Sequence, residues 1–191
     1  GEGCRVFDID GMARIDCINN FTSLIHGHAH PVIVEATCRQ MRLGSAPGLP
    51  TESEVVLAEI LAGRVSSVDQ TRFSNSGTEA VMMALKAARA FTNRAKIAKV
   101  EGSYHGSYDY AEVSLETKPE HWHQGPPLSV AYAKGTPQGV LDDVVTIPFN
   151  DVDGAVSIIR AHGADLACVL VDPMPNRAGL VPADRGYIQA L

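Results

Sequence analysis

The sequence predicts an α/β fold: three layers, α/β/α, around a mostly parallel sheet, preceded by a small N-terminal segment of strand and helix. Three observations predict it. From Gln70 onward, strand-like and helix-like stretches alternate along the chain. Ala167-Cys168-Val169-Leu170-Val171 is apolar without interruption, as expected of a parallel strand that helices cover on both faces. Between 80 and 91, Ala80, Met83, Ala84, Ala87, Ala88 and Phe91 recur with a helical period and form one apolar stripe.

Each element has its own local reason. Arg5–Ile9 and Ala13–Cys17 alternate about Asp10-Gly11, a two-residue turn signal, and so read as a β-hairpin. Pro31 suits the first turn of a helix running to about Leu43, with Gly44 as its stop. The Pro- and Gly-rich stretch 45–50 is the best boundary, which divides the chain into an N-terminal segment, 1–45, and a larger domain, 46–191. Thr51-Glu52-Ser53-Glu54 matches a capping box and opens a helix with Val56, Leu57, Ile60 and Leu61 facing inward. Thr71–Phe73 is expected as a strand, feeding the polar turn Ser74-Asn75-Ser76-Gly77-Thr78 and then the striped helix. Further strands follow at 95–100 and 144–147, and Asn150-Asp151 caps a helix that stops at Gly163. Residues 107–141, rich in Pro, Gly and His, read as a long functional loop.

Composition narrows the function classes. The 191 residues are 45% hydrophobic and 20% charged, ordinary for a globular chain, with a net charge of −6. No Lys/Arg cluster offers a surface to nucleic acid or an anionic membrane. No apolar run approaches the roughly 20 residues that span a bilayer. The first residues resemble neither a signal nor a transit peptide, and the four scattered cysteines suit a reducing cytoplasm.

The chemistry concentrates in a few places. A polar turn entering a helix aims backbone N–H groups and the positive end of the helix dipole at one point, which suits a phosphate. The turn lacks the patterns of a nucleoside-triphosphate loop or a dinucleotide fingerprint. Tyr104-His105-Gly106 follows a parallel strand, at the edge where open α/β sheets place ligands; Tyr104 suits a flat ring, and His105 the ring or the substrate. Asp172 closes another strand at the same edge, and reads equally as the start of an Asx turn. His26, His28 and His30 invite a metal reading, but Pro31 starts a helix beside them and no carboxylate or thiolate lies at ligand spacing, so a structural role is expected and no metal site. His121-Trp122-His123 is weaker still. G-x-S-x-G is absent, which removes support for serine-hydrolase chemistry.

Taken together, Gly27-His28-Ala29-His30-Pro31, Asn75-Ser76-Gly77-Thr78-Glu79-Ala80, Gly102-Ser103-Tyr104-His105-Gly106, Pro148-Phe149-Asn150-Asp151 and Asp172-Pro173 with Gly179-Leu180-Val181-Pro182 resemble one family over essentially the whole chain. That family is the class III, fold-type-I aminotransferases dependent on pyridoxal phosphate, near glutamate-1-semialdehyde aminomutases and β-amino-acid aminotransferases. The resemblance implies that Ser76, Gly77 and Thr78 hold the cofactor phosphate, Tyr104 stacks on its ring and His105 sits beside it. Asp172 falls where the family usually carries glutamate near the ring. Arg177 is a candidate for a substrate carboxylate. A homodimer acting on a small amino acid or aldehyde is implied likewise.

The resemblance also implies an absence. The family's Schiff-base lysine and the aspartate facing the pyridinium nitrogen lie further along the polypeptide, and none of Lys86, Lys96, Lys99, Lys118 and Lys134 occupies a catalytic position. Two sheet strands and a C-terminal small domain are expected to be missing with them. The chain is thus expected to be a segment of a longer enzyme for amino-group transfer or 1,2-transposition. The alternatives are a truncated, non-catalytic paralogue that binds a phosphorylated ligand and an unrelated phosphosugar binder.

Overall fold

The computed structural model describes residues 1–121 and 125–191; Trp122 and His123 of the second histidine cluster lie outside them. The chain divides into two compact units, Gly1–Thr71 and Arg72–Leu191.

In the first unit, strands β1 (Arg5–Phe7) and β2 (Ala13–Ile15) pair antiparallel, with Arg5 opposite Ile15. Asp8 sets the hairpin turn: its carboxylate accepts the Asp10 and Met12 amides and pairs with Arg14 at 2.9 Å. A single left-handed turn, α1 (Asn19–Thr22), follows, with φ between 46° and 71° at all four residues. The Asp16 carboxylate holds its start by accepting the Ile18 and Asn19 amides, and also meets His28 Nε2 at 2.7 Å. These contacts hold the Asp16 carboxyl below the usual range, the Asn19 amide most strongly. Helix α2 (Pro31–Leu43) begins on its proline and ends at Gly44, as expected.

Helix α3 (Glu52–Arg64) opens on the capping box: Thr51 Oγ1 accepts the Glu54 amide, and Glu54 Oε2 accepts the Thr51 amide at 2.9 Å. Thr51→Ala is expected to destabilise α3 by about 1 kcal/mol. Faster hydrogen exchange at the Glu54 amide, relative to α2, is the measurement that checks it. The expected inward residues of α3 are not buried: Val56, Leu57, Ile60 and Leu61 remain 37–46% exposed. Periodicity identifies the apolar side of a helix, but burial requires a surface to set against it.

The second unit carries the parallel sheet, in the order β4 (Val144–Ile147), β3 (Lys96–Val100), β5 (Leu166–Leu170). Side chains alternate across it and build two cores. On one face Ile97, Val144 and Cys168 meet Leu85 of α4 (Gly77–Thr92), Val113 beyond α5 (Asp109–Glu112) and Val140 of α6 (Gln138–Asp143). On the other, Ala98, Val100, Val145 and Ile147 meet Ala155 of α7 (Val152–His162) and Tyr187 of α8 (Arg185–Ala190). A register shift between Lys96 and Ile97 against β5 lets Leu166 join the second core while Cys168 joins the first. The three layers are therefore present.

Two expectations change. Residues 71–73 form no strand, since no described strand lies beside them to complete a ladder. In α4 the inward residues are Val81 and Leu85, whereas Phe91 is 94% exposed. The buried face is thus turned from the expected stripe by about one residue, roughly 100°. The long loop holds short helices, α5 and α6, and is stapled to the sheet through Ser114, whose hydroxyl donates to the Leu128 carbonyl at 2.7 Å and lies 3.0 Å from Thr146 Oγ1. Asp151 caps α7 as expected, accepting the Gly154 amide at 2.9 Å. No helix among the described residues is long and apolar enough to cross a membrane.

Candidate functional site

The carboxyl edge of β3 and the start of α4 come together in the second unit. At the α4 start, Ser76 is the N-cap and its hydroxyl accepts the Glu79 amide at 3.1 Å. Glu79 reaches back to accept the Asn75 amide at 2.7 Å. Side chains thereby satisfy the flanking amides, while those of Gly77 and Thr78 carry no partner among the described residues. Gly77 has open space where a Cβ would project, so an anion can approach the backbone closely at the positive end of a 16-residue helix.

The turn after β3 is tied to this start by one hydrogen bond. Ser107 N–H donates to Thr78 Oγ1 at 3.0 Å. Gly106 makes the approach possible: its φ is +91°, and a Cβ there would stand 2.6 Å from Thr78 Oγ1 and 2.8 Å from Thr78 Cα. Accepting from Ser107 leaves the Thr78 hydroxyl hydrogen free to donate elsewhere. Ser76, Gly77, Thr78 and the Tyr104–Ser107 turn therefore form one cluster. Tyr104 is 39% exposed.

His105 buries Nε2 without a hydrogen-bond partner, and Ser103 Oγ, two residues earlier in the chain, is likewise buried and unpartnered. Burial pushes the His105 imidazole down to about 4; the Lys99 charge adds to this and the Asp172 charge opposes it. Asp172 Oδ1 accepts the Met174 amide at 2.9 Å, an Asx turn. Arg177, on the 3-10 turn Asn176–Ala178, is exposed and makes no hydrogen bond among the described residues.

Sequence reasoning missed three participants. Ser107 lies 29 residues from Thr78, and nothing local marks the pairing. Gly106 was visible only as part of a motif. Lys99 carried a usable signal, a cation inside the strand Ile97-Ala98-Lys99-Val100, which is fully buried. The histidines of the first unit do not converge: His28 turns to Asp16, and His26 tilts against His30 with ring centroids 5.3 Å apart. No group of three or more metal-ligating side chains occurs among the described residues.

Comparison with known proteins adds to this geometry. The chain is 41% identical over 195 residues to the glutamate-1-semialdehyde 2,1-aminomutase of Methanothermobacter thermautotrophicus, covering 100% of this chain and 44% of that protein. Its structure is similar to that of an omega-transaminase from Sphaerobacter thermophilus, with a TM-score of 0.95 and 53% identity over 99% of this chain and 43% of that one. A transaminase with PLP bound is similar at a TM-score of 0.90 and 48% identity, over 100% of this chain and 43% of that one. The chain thus spans less than half the length of the relatives it matches. The family model for class-III aminotransferases matches residues 1–191 without a break, and the chain belongs to that family.

Proposed function

We propose that this chain is the cofactor-gripping part of a longer cytoplasmic, pyridoxal-phosphate-dependent enzyme that transfers or transposes an amino group on a small amino acid or aldehyde. The bond from Ser107 N–H to Thr78 Oγ1 carries the reading, because it joins an anion-binding helix start to an aromatic turn within the span of one small molecule. The site fits the cofactor in three ways: free amides at Gly77 and Thr78, open space before Gly77, and an aromatic ring at Tyr104 still partly accessible. When bound, pyridoxal phosphate supplies an electron sink for chemistry at an amino-bearing carbon.

The residues divide the remaining work. Ser76 shapes the turn, while Gly77 N–H and Thr78, through amide and hydroxyl, bind the phosphate. Tyr104 covers one face of the ring and excludes water from it. His105, neutral, sits beside the ring, and the Asp172 carboxylate adds negative charge nearby. Arg177 stands free for a substrate carboxylate, which its guanidinium fork fits. The exposed apolar residues of α2 and α3 support further protein contact, assigned here to a second copy in a homodimer.

The covalent lysine belongs, in this reading, outside these 191 residues. Lys99 is fully buried, Lys86 lies more than two turns into α4, Lys96 is at the amino end of β3, and Lys118 and Lys134 lie between α5 and α6. Pyridoxal phosphate is expected to raise the melting temperature more than unphosphorylated pyridoxal does, because the helix start recognises the phosphate. Borohydride treatment of that mixture is expected to label no single lysine of this chain stoichiometrically. Equal thermal shifts from the two compounds would overturn the phosphate cradle, and stoichiometric label at one lysine would overturn the segment reading.

A further inference from the structure

We propose that Arg89 is a positioning residue for this site: its guanidinium clamps the Tyr110 ring to α4 and so holds the Tyr104–Ser107 turn beside the helix start. Thr78, Val81, Leu85 and Arg89 stand at i, i+3, i+7 and i+11, so they share one face of the helix. The middle pair packs into the core, and each end grips the segment that follows β3. At the amino end, Thr78 Oγ1 accepts the Ser107 amide at 3.0 Å. About three turns further on, the Arg89 guanidinium carbon lies 4.0 Å from the centre of the Tyr110 ring.

The packing of that face does not call for a cation. Arg89 is half-buried, and its Nη2 is enclosed without a hydrogen-bond partner, so its desolvation costs stability that leucine or methionine would keep. No carboxylate pairs with it among the described residues. Two contacts offset the cost. Nε donates to the Ala95 carbonyl at 2.7 Å, which orients the guanidinium at the carboxyl end of α4. The charge then rests on the face of Tyr110, where the ring quadrupole attracts it. Tyr110 in turn meets Tyr108, with centroids 5.4 Å apart, and both rings pack on the core around Leu85. Only Tyr108 and Asp109 separate Ser107 from Tyr110, so a ring pinned at Arg89 restrains the Ser107 amide opposite Thr78.

The consequence for the cofactor rests on the reading proposed above; the restraint itself is measured without it. Hydrogen exchange at the Ser107 amide is expected to quicken about tenfold in Arg89→Met and in Tyr110→Leu, while the Ala98 amide in the sheet is unchanged. Tyr110→Phe keeps the ring and should exchange like the unmodified protein. Arg89→Met combined with Tyr110→Leu should be no faster than either alone, because both remove one shared contact. Absorbance titration with pyridoxal phosphate is expected to show a parallel loss of about fivefold in each single variant and no more in the pair. An arginine that only ties α4 to Ala95 would quicken exchange in Arg89→Met and leave Tyr110→Leu unaffected. That pattern, additive losses in the double variant, an unmoved Ser107 amide in folded Arg89→Met, or quickened exchange with full affinity overturns the proposal. Should Arg89→Met fail to fold, Tyr110→Leu against Tyr110→Phe decides. Failure of the unmodified protein to bind pyridoxal phosphate would count against the cofactor reading instead, and exchange at Ser107 would still decide the clamp.

Discussion

Gly106→Ala is expected to weaken binding of pyridoxal phosphate by one to two orders of magnitude while leaving most of the fold intact. Two penalties combine. Alanine at φ +91° is strained by about 1–3 kcal/mol. Its Cβ would also stand 2.6 Å from Thr78 Oγ1 and 2.8 Å from Thr78 Cα, and the second of these is backbone that no rotamer change can move. The turn must retreat, Ser107 N–H loses Thr78 Oγ1, and Tyr104 and His105 move away from the helix start. Gly102→Ala separates the two penalties. Its φ is +74°, but a Cβ there meets nothing within 4 Å, so it is strained without a clash. Absorbance titration with pyridoxal phosphate should therefore rank the unmodified protein first, Gly102→Ala close behind and Gly106→Ala well below. Thr78→Val keeps the bulk and deletes the acceptor, and should fall with Gly106→Ala. Unchanged affinity in both Gly106→Ala and Thr78→Val would show that the clasp does not shape the cradle.

What the sequence reveals here follows the range of the forces involved. The Asp151 cap, the Thr51–Glu54 box and the Pro31 start depend on groups within four residues, and each is readable locally. The uninterrupted apolar run of β5 is readable as a parallel strand, although only Leu166 is buried and residues 167–170 are half-buried. Helix α4 misleads because its alanines suit either environment. With Ala80, Ala84, Ala87 and Ala90 on the outside, only Val81 and Leu85 mark the inner face. Residues 71–73 have strand-like composition, yet a strand exists only with a neighbour to pair with, and composition does not provide one. The site shows the same division. The Ser76–Thr78 turn is legible as an anion-binding helix start, whereas the bond from Ser107 that completes it is tertiary.

The largest loss of stability is expected from Tyr187→Ala. Tyr187 is fully buried, meets Phe149 edge-on with centroids 5.8 Å apart, and donates its hydroxyl to the Pro148 carbonyl at 2.9 Å. Burial pushes its phenol up to about 12, so it remains a donor throughout the physiological range. Truncation empties a ring-sized volume in the core under the sheet, and costs about 3–5 kcal/mol. For a unit of this size, that corresponds to a fall in melting temperature on the order of 10 °C. Tyr187→Phe keeps the ring and strands the Pro148 carbonyl, at a cost of about 1–3 kcal/mol. The effect should reach the site, because the segment from Asp172 to Tyr187 is anchored at both ends. Ala183 N–H donates to the Pro173 carbonyl at 2.7 Å, and Asn150 holds Pro182 and Asp184 through its side-chain amide. Freeing Tyr187 removes the apolar weight behind these bonds and loosens the turn that presents Asp172. Thermal denaturation should therefore rank Tyr187→Ala below Tyr187→Phe. Hydrogen exchange at the Met174 amide, which Asp172 accepts, should quicken in the alanine variant and change little in the phenylalanine one. Equal melting temperatures for the two variants would mean that the hydroxyl, and not the ring, anchors this segment to the sheet.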